Sequence, residues 1–275
     1  MRSIAPLRSY KGNLRTAYRV LLPVLWPLVN SLAKPRLQSF ENLPKEGAFI
    51  LAPNHLSNAD PFVMGYLMAD AGYEISFMAK DSLFRVPALG QILRAWGMIP
   101  VVRNSAAAAD SLVHAREVLG RGGIVGFYFE GTLTQDPAYW PMKGKTGLAR
   151  LALDTRVPVI PVVQWGAQDI VNRYVEMRPF GKRPELFIRA LPELDYSDLP
   201  GDSSNHESVN ELTQRLQNAL EAGSAALREE LAPETPWDRK TNESRNPRKL
   251  KPFTKWRREL ARAAKRQDVL PATPR

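Results

Sequence analysis

The feature of this sequence that most restricts its fold is an alternation between short, continuously apolar runs and longer stretches with helical periodicity. Runs such as A-F-I-L-A and V-P-V-I-P-V-V have no polar face, which is typical of strands buried on both sides of a sheet. We predict seven strands, at residues 48–52, 74–79, 98–103, 123–129, 157–163, 174–178 and 185–190.

Between and after these strands, apolar residues recur at the spacing of helices. We predict helices near residues 61–70, 87–96, 106–119, 146–154 and 207–231. Helices that alternate with buried strands cover both faces of a sheet. The fold class is therefore predicted to be α/β, a single domain with a mostly parallel or mixed central sheet flanked by helices.

Near the N-terminus, residues 18–32 are strongly apolar, contain Trp26 and two prolines, and are flanked by Arg and Lys. Two interpretations stay open for this segment. It is a buried core helix, or it is a helical element in the membrane interface, where Trp and bases are common. No run reaches the roughly 18 uninterrupted apolar residues that a simple membrane-spanning helix needs.

The excess positive charge of the chain lies at the other end. The formal net charge is +10, and residues 239–275 hold 13 of the 38 bases but only 3 of the 28 acids. Such a segment is predicted to be disordered and to favour an anionic partner, either a lipid surface or nucleic acid. We divide the chain into a membrane-contacting element at 1–39, a folded domain at 40–232 and a disordered basic tail at 233–275.

One of the three histidines has the position of a catalytic residue. His55 follows an apolar predicted strand, and reactive groups in α/β sheets collect just beyond the carboxyl ends of strands. Asp60 follows five residues later, and a turn between them would let its carboxylate hold the imidazole in one tautomer. Because Asp60 precedes Pro61, it is also a typical helix N-cap, and the two roles are compatible.

The sequence excludes several other chemistries. The chain has no cysteine, which rules out thiolate catalysis and cysteine-ligated metals. It has no Gly-x-Ser-x-Gly elbow for a serine hydrolase, and the Gly-Lys-Thr at residues 144–146 lacks the first glycine of a P-loop. One well-placed histidine among scattered acids does not form a metal site. We therefore expect neither a metal nor a cofactor.

Four sequence blocks, in order, resemble the glycerolipid acyltransferases, a family that includes lysophosphatidic acid acyltransferases. The blocks are N-H-L-S-N-A-D at residues 54–60, G-M-I-P-V-V-R at 97–103, F-E-G-T at 129–132 and V-P-V-I-P-V at 157–162. A fifth stretch, M-A-K-D-S-L-F at 78–84, is similar to the lysine-containing stretch of the family. The similarity covers roughly residues 40–195, and the domain at 40–232 is thus expected to be an acyltransferase domain.

The resemblance implies that an acyl thioester, on coenzyme A or acyl carrier protein, gives its acyl group to the free hydroxyl of 1-acylglycerol 3-phosphate, which forms phosphatidic acid. His55 would be the general base and Asp60 would orient it. The residues implied to bind substrate are Arg103, Lys80, Glu130, Gly131 and Thr132. Arg103 would pair with a phosphate and Lys80 would add charge, while Glu130 would bond a hydroxyl or orient Arg103.

The expected partners are a lysophospholipid acceptor, an acyl thioester donor and an anionic membrane surface, with the protein peripheral or monotopic on the cytoplasmic face of a membrane; nucleic acid is not expected. Two alternatives stay open. One is acyl transfer to another lipid acceptor, such as a glycolipid or an amino-acid lipid. The other is a non-catalytic protein that binds anionic lipid or nucleic acid through its tail.

The chain departs from the family pattern at two positions. Phe129 stands where the family usually has Pro, and Leu133 stands where many members have Arg. The second departure removes one expected phosphate contact, and Lys143 or Lys145 could supply that charge.

Overall fold

The structure is a computed structural model that describes residues 29–102, 108–171 and 183–238 together with Pro23 and Pro27, with the backbone alone at 108–110. The predicted strand at 174–178, Arg103, most of the apolar segment at 18–32 and the tail from residue 239 lie outside the described residues.

The centre of the fold is a seven-stranded sheet with the order β1-β7-β6-β2-β5-β3-β4. All neighbouring strands are parallel except β6 and β7, which are antiparallel, so the sheet is mixed. The strands are β1 (Lys34–Gln38), β2 (Phe49–Pro53), β3 (Ile75–Lys80), β4 (Ile99–Val101), β5 (Ile124–Gly126), β6 (Val159–Trp165) and β7 (Glu185–Ala190). The predicted α/β domain is confirmed.

The strand β1 was not predicted from the sequence. It reads K-P-R-L-Q and is an edge strand, and only Pro35 is buried in it. It pairs in parallel with β7, and Arg36 forms a salt bridge of 2.9 Å with Glu185 across the pair. An edge strand with solvent on one side needs no continuous apolar run, which is why an apolar pattern does not reveal it.

Beyond the helical turn at residues 29–32, the described part of the chain has five α-helices that pack against this sheet, namely α1 (Asp60–Asp70), α2 (Leu89–Ala95), α3 (Ala108–Gly120), α4 (Gly147–Thr155) and α5 (His206–Arg228). The buried side chains of these helices fall into two core clusters. One cluster contains side chains of α1 and α2, such as Met64 and Leu93. The other contains side chains of α3, α4 and α5, such as Leu119, Leu151 and Leu216. Helices thus cover both faces, as strands buried on both sides require.

The packed domain extends beyond residues 40 and 232 at both ends. Val29 and Ala33 are buried in the core, and Val29 marks the start of the described C-terminal part of the apolar segment at 18–32. At the other end, Trp237 is 4% exposed and forms a parallel bridge with Met142. No helix in the described part of the chain is both long enough and apolar enough to cross a bilayer.

Candidate active site

The candidate site lies at the carboxyl edge of the sheet, directly after β2. All five residues of β2 are buried, and the next residue, Asn54, is clamped to the end of β6. The Asn54 side chain accepts a hydrogen bond from the Gln164 backbone N–H at 2.8 Å and donates to its carbonyl at 3.2 Å. The Gln164 side chain donates to the Asn54 carbonyl at 2.6 Å. These bonds fix the residue that precedes His55.

The structure brings His55 and Asp60 together. The chain turns between them, with the Asp60 backbone N–H bonded to the Ser57 carbonyl at 3.1 Å. His55 Nδ1 lies 2.9 Å from Asp60 Oδ2. The imidazole is 14% exposed, whereas the Asp60 side chain is fully buried. Of the two side chains, only the imidazole is therefore exposed to solvent.

Three donors converge on Asp60 Oδ2. The backbone N–H groups of Leu56 and Ser57 donate to it at 2.6 and 2.8 Å. Since Oδ2 accepts from both, a third hydrogen bond to it from the ring requires a proton on Nδ1, and in that neutral tautomer the lone pair is on Nε2. Asp60 is the first residue of α1, and Ala59 is the N-cap. Its carboxylate thus closes the preceding loop instead of capping the helix, which differs from the N-cap role expected from Asp-Pro.

Tyr128 forms the wall against which the His55 ring rests. The two rings are stacked, with centroids 4.1 Å apart and planes 24° from parallel. Tyr128 is itself stacked on Phe77 of β3 at 5.5 Å. Burial, and secondarily the nearby Asp60 carboxylate, raises the pKa of the Tyr128 hydroxyl well above its ordinary value. The phenol therefore stays neutral and fixes the plane of the imidazole.

Glu130 holds the backbone at His55 in place through a buried hydrogen bond. Its side chain is 2% exposed, and its Oε1 accepts a hydrogen bond from the His55 backbone N–H at 2.8 Å. Its Oε2 accepts from the Met142 backbone N–H at 2.9 Å. Burial raises the pKa of Glu130 to about 8, although both N–H groups act in the opposite direction. Both oxygens are thus engaged by backbone, and the role of Glu130 in substrate binding stays a prediction.

The loop after Glu130 carries the remaining predicted residues of the third block. Gly131 has φ 70°, a left-handed backbone conformation that residues with a Cβ rarely adopt. A Cβ at Gly131 would lie 3.3 Å from Lys145 Nζ, so the Lys145 ammonium lies beside this loop. Lys143 Nζ instead lies 3.2 Å from Asp238. Of the two lysines considered as replacements for the arginine missing at Leu133, Lys145 is therefore the one beside the loop.

Two other predicted substrate residues, Lys80 and Thr132, are described by the structure. Thr132 is half-buried in the same loop, and Lys80 is exposed at the last position of β3. Lys80 is in register with Val101 of β4, and Arg103, outside the described residues, follows two positions after Val101. Because β2 and β3 are both parallel to β5, their carboxyl ends face the same side.

The sequence pattern did not indicate Asn54, Tyr128 and Gln164 as parts of the site. Each acts through a neighbour far along the chain, and no short motif encodes such contacts. Among the described residues, no group of three or more acids and histidines could hold a metal ion. What the arrangement can do is accept a proton at His55 Nε2 and stabilise the imidazolium that results.

Comparisons with known proteins show which enzyme family this chain resembles. Residues 34–165 match the family model described as Acyltransferase. The match spans just under half of the chain, from the first residue of β1 to the last residue of β6. The resemblance to the glycerolipid acyltransferases is thereby confirmed, and the relatives described below are named as acyltransferases.

Two relatives with curated names illustrate this similarity. The 1-acyl-sn-glycerol-3-phosphate acyltransferase of Bacillus subtilis is 27% identical over 184 residues, which cover 66% of this chain and 87% of that protein. The chloroplastic 1-acyl-sn-glycerol-3-phosphate acyltransferase BAT2 of Brassica napus is 27% identical over 160 residues. That match covers 57% of this chain and 45% of the plant protein, so the chain spans about half the length of this relative.

A solved structure shares the fold. The 1-acyl-sn-glycerophosphate (LPA) acyltransferase PlsC of Thermotoga maritima matches with a TM-score of 0.58 at 22% sequence identity. The match covers 82% of this chain and 88% of that chain. The mixed sheet flanked by helices is thus the architecture of this solved protein as well.

Proposed function

We propose that this protein transfers an acyl group from an acyl thioester, on coenzyme A or acyl carrier protein, to the free hydroxyl of 1-acylglycerol 3-phosphate, with phosphatidic acid as product. The observation that carries the proposal is the His55–Asp60 pair at the carboxyl edge of an acyltransferase-family sheet. The names of the relatives support the choice of acceptor.

In the proposed mechanism, His55 Nε2 takes the proton of the acceptor hydroxyl as the oxygen attacks the thioester carbonyl. A hydroxyl is a poor nucleophile until a base accepts its proton. The tetrahedral intermediate collapses with loss of the thiolate, which recovers the proton from the imidazolium. Asp60 stabilises the imidazolium through the 2.9 Å contact at Nδ1. The reaction needs no cofactor and no acyl-enzyme.

The proposal assigns the acceptor phosphate to the cationic side of the site. Arg103 would pair with the phosphate through two hydrogen bonds, with Lys80 and Lys145 as further positive charges. Thr132 and the backbone at Gly131 would contact the same acceptor. Because this acceptor is a bilayer lipid, we also propose that the protein is peripheral or monotopic on the cytoplasmic face of a membrane.

The test uses the full chain in detergent with radiolabelled acyl-coenzyme A and acyl carrier protein donors. The acceptor panel contains 1-acylglycerol 3-phosphate, a lysoglycolipid and an amino-acid lysolipid. We expect labelled phosphatidic acid as the main product, and its loss in Asp60→Asn. As a control, His114→Ala should leave the product yield unchanged, since the His114 side chain is 58% exposed on α3. Preferred acylation of an uncharged acceptor would overturn the assignment of substrate.

Arg103→Ala separates the two substrates. A charge-assisted contact to phosphate contributes about 1.5–3 kcal/mol, so the KM for the acceptor should rise about 10- to 100-fold. The KM for the acyl donor should change much less. If only the KM for the donor rises, Arg103 contacts the phosphates of the donor instead.

A further inference from the structure

Exposed apolar side chains are concentrated at one corner of the molecule. Among the described residues, seven large apolar side chains are exposed, and five of them belong to this corner with exposures of 36–45%. They lie on the first turn of α1, on and just after the 3₁₀ helix Asp81–Arg85, on α2, and just after β4. We call these five residues the apolar lip: Phe62, Leu83, Val86, Ile92 and Val102.

The elements of the apolar lip are locked to one another. Gly90 of α2 lies so close to the 3₁₀ helix that a Cβ there would be 2.2 Å from the Phe84 carbonyl oxygen. Arg94 of α2 donates two hydrogen bonds of 3.1 Å to the same carbonyl. The Phe62 ring lies edge-on to Trp96, which caps α2, at 6.4 Å. The apolar lip is thus a preformed surface.

The apolar lip borders the candidate active site. Phe62 stands two residues after Asp60 in the first turn of α1. The 3₁₀ helix and Val102 directly follow the carboxyl ends of β3 and β4, and the carboxyl end of β2 leads to His55. Since β2 and β3 run in the same direction, a partner that covers the apolar lip lies beside the opening to His55.

The sequence around the apolar lip is richer in basic than in acidic residues, with Asp81 at the start of the 3₁₀ helix as its acid. Residues 82–109 contain no Asp or Glu but three arginines, at positions 85, 94 and 103. The Arg85 side chain is 80% exposed, and it also bonds Asp81 at 2.8 Å. Protruding apolar side chains next to cations fit a surface with an apolar interior and anionic headgroups.

We propose that the apolar lip docks on an anionic lipid bilayer and thereby presents His55 to an acceptor held in that bilayer. The proposal rests on the proposed function for its substrate, since an acceptor lipid must reach His55 from the bilayer. It assigns the contact to a folded surface at the site, in addition to the chain ends. An apolar surface of this kind on a protein marks an interaction site.

A site-specific probe tests the contact. The chain has no cysteine, so Ile92→Cys can be labelled uniquely with a polarity-sensitive fluorophore. Val113→Cys is the matched control, because Val113 is 47% exposed on α3, which packs in the other core cluster. With phosphatidylglycerol–phosphatidylcholine vesicles, we expect the label at 92 to shift to the blue and the label at 113 to stay unchanged.

Three results would overturn the proposal. The first is an unchanged spectrum at 92 while the protein co-sediments with the vesicles. The second is a blue-shifted label at 92 before vesicles are added, which would mean that another segment of the chain covers the apolar lip. The third is a shift caused by an acidic carrier protein but not by vesicles.

A second measurement needs no label. Val86→Gln combined with Ile92→Gln should weaken partition into anionic vesicles roughly five- to tenfold, since two apolar side chains no longer enter the interface. Val113→Gln should leave partition unchanged. Equal partition of the double variant and the wild type would contradict the proposal. Neither readout depends on turnover, so absence of activity with 1-acylglycerol 3-phosphate would refute the proposed function and leave this test valid.

Discussion

The buried carboxyl group of Glu130 makes a pH-dependent contribution to stability that can be isolated by Glu130→Gln. Burial raises its pKa from the ordinary 4.5 to about 8. Between these two values the folded state binds more protons than the unfolded state, so stability decreases as pH increases. The contribution is complete below 4.5 and is lost once the pH has passed 8.

The size of the effect follows from this shift. Each pH unit inside the interval changes the free energy of unfolding by about 1.4 kcal/mol at full slope, and the slope flattens near the folded pKa. From pH 6 to pH 8, Glu130 should therefore reduce stability by about 2 kcal/mol. Gln has no charge to bury, so Glu130→Gln should lack this component. The Gln side chain has one acceptor oxygen, so one of the two backbone N–H groups that bond Glu130 would lose its partner. That loss costs about 1–3 kcal/mol at every pH.

Urea denaturation followed by tryptophan fluorescence at pH 6 and pH 8 checks this prediction. We expect the stability difference between wild type and Glu130→Gln to change by about 2 kcal/mol between the two pH values. Glu46→Gln is the control, since Glu46 is exposed in a loop and its difference from wild type should not change with pH. A pH-independent difference for Glu130→Gln would show that the two backbone N–H groups lower the pKa of Glu130 at least as much as burial raises it.

The same variant distinguishes two roles of Glu130 in turnover. Its Oε1 holds the His55 backbone N–H at 2.8 Å, so Glu130→Gln should lower kcat more than it raises either KM. A rise confined to the KM for the acceptor would instead support the direct contact with a substrate hydroxyl that the family resemblance implies.

Three further substitutions probe the site and its support. His55→Ala should lower turnover by about 10²–10⁴-fold in radiolabelled assays, and near-normal turnover of the folded variant would remove His55 from the mechanism. Tyr128→Leu should lower kcat through loss of the 4.1 Å ring stack, whereas Tyr128→Phe retains the stack, so equal rates for the two variants would contradict this role. Gly144→Ala should cost about 1–3 kcal/mol in urea denaturation, because the new Cβ would lie 1.7 Å from the Phe129 ring. Gly120→Ala, with nothing within 4 Å, should be close to neutral, and equal unfolding midpoints would refute the steric reasoning.

The strands that the sequence predicts well are those buried on both faces. Runs such as those of β2 and β6 have no polar face, and both strands are found within two residues of their predicted bounds. The predicted strand at 123–129 is longer than β5, which ends at Gly126. The chain leaves the sheet there and carries Tyr128 and Glu130 to the site. Apolar character continues through Phe127–Phe129 because those rings are buried or partly buried in the core, so hydrophobicity alone cannot mark the end of the strand.

The site was predictable where its parts lie close in sequence. His55 and Asp60 are five residues apart, and a turn suffices to join them, as the 2.9 Å contact shows. Glu130 reaches the backbone of His55 from 75 residues away. Such a contact depends on β2 and β5 being neighbours in the sheet, which the order of strands along the chain does not state. Positions within a motif are therefore readable from sequence, whereas the partners that hold the motif come only from the topology.

The two departures from the family pattern have different physical consequences. Phe129 is fully buried, and its ring fills the space beside Gly144, where any side chain would collide with it. The Phe129 ring, which is larger than the usual Pro, thus fits because Gly144 has no side chain, and no polar partner is lost. Leu133 instead removes a cation, and a neighbour can replace only its charge, since a lysine ammonium lacks the planar fork that pairs with two phosphate oxygens. Lys145 lies beside Gly131 and, under the proposed function, would provide that charge. Under the proposed function, binding of the acceptor phosphate should therefore depend more on Arg103 than it would with an arginine at position 133.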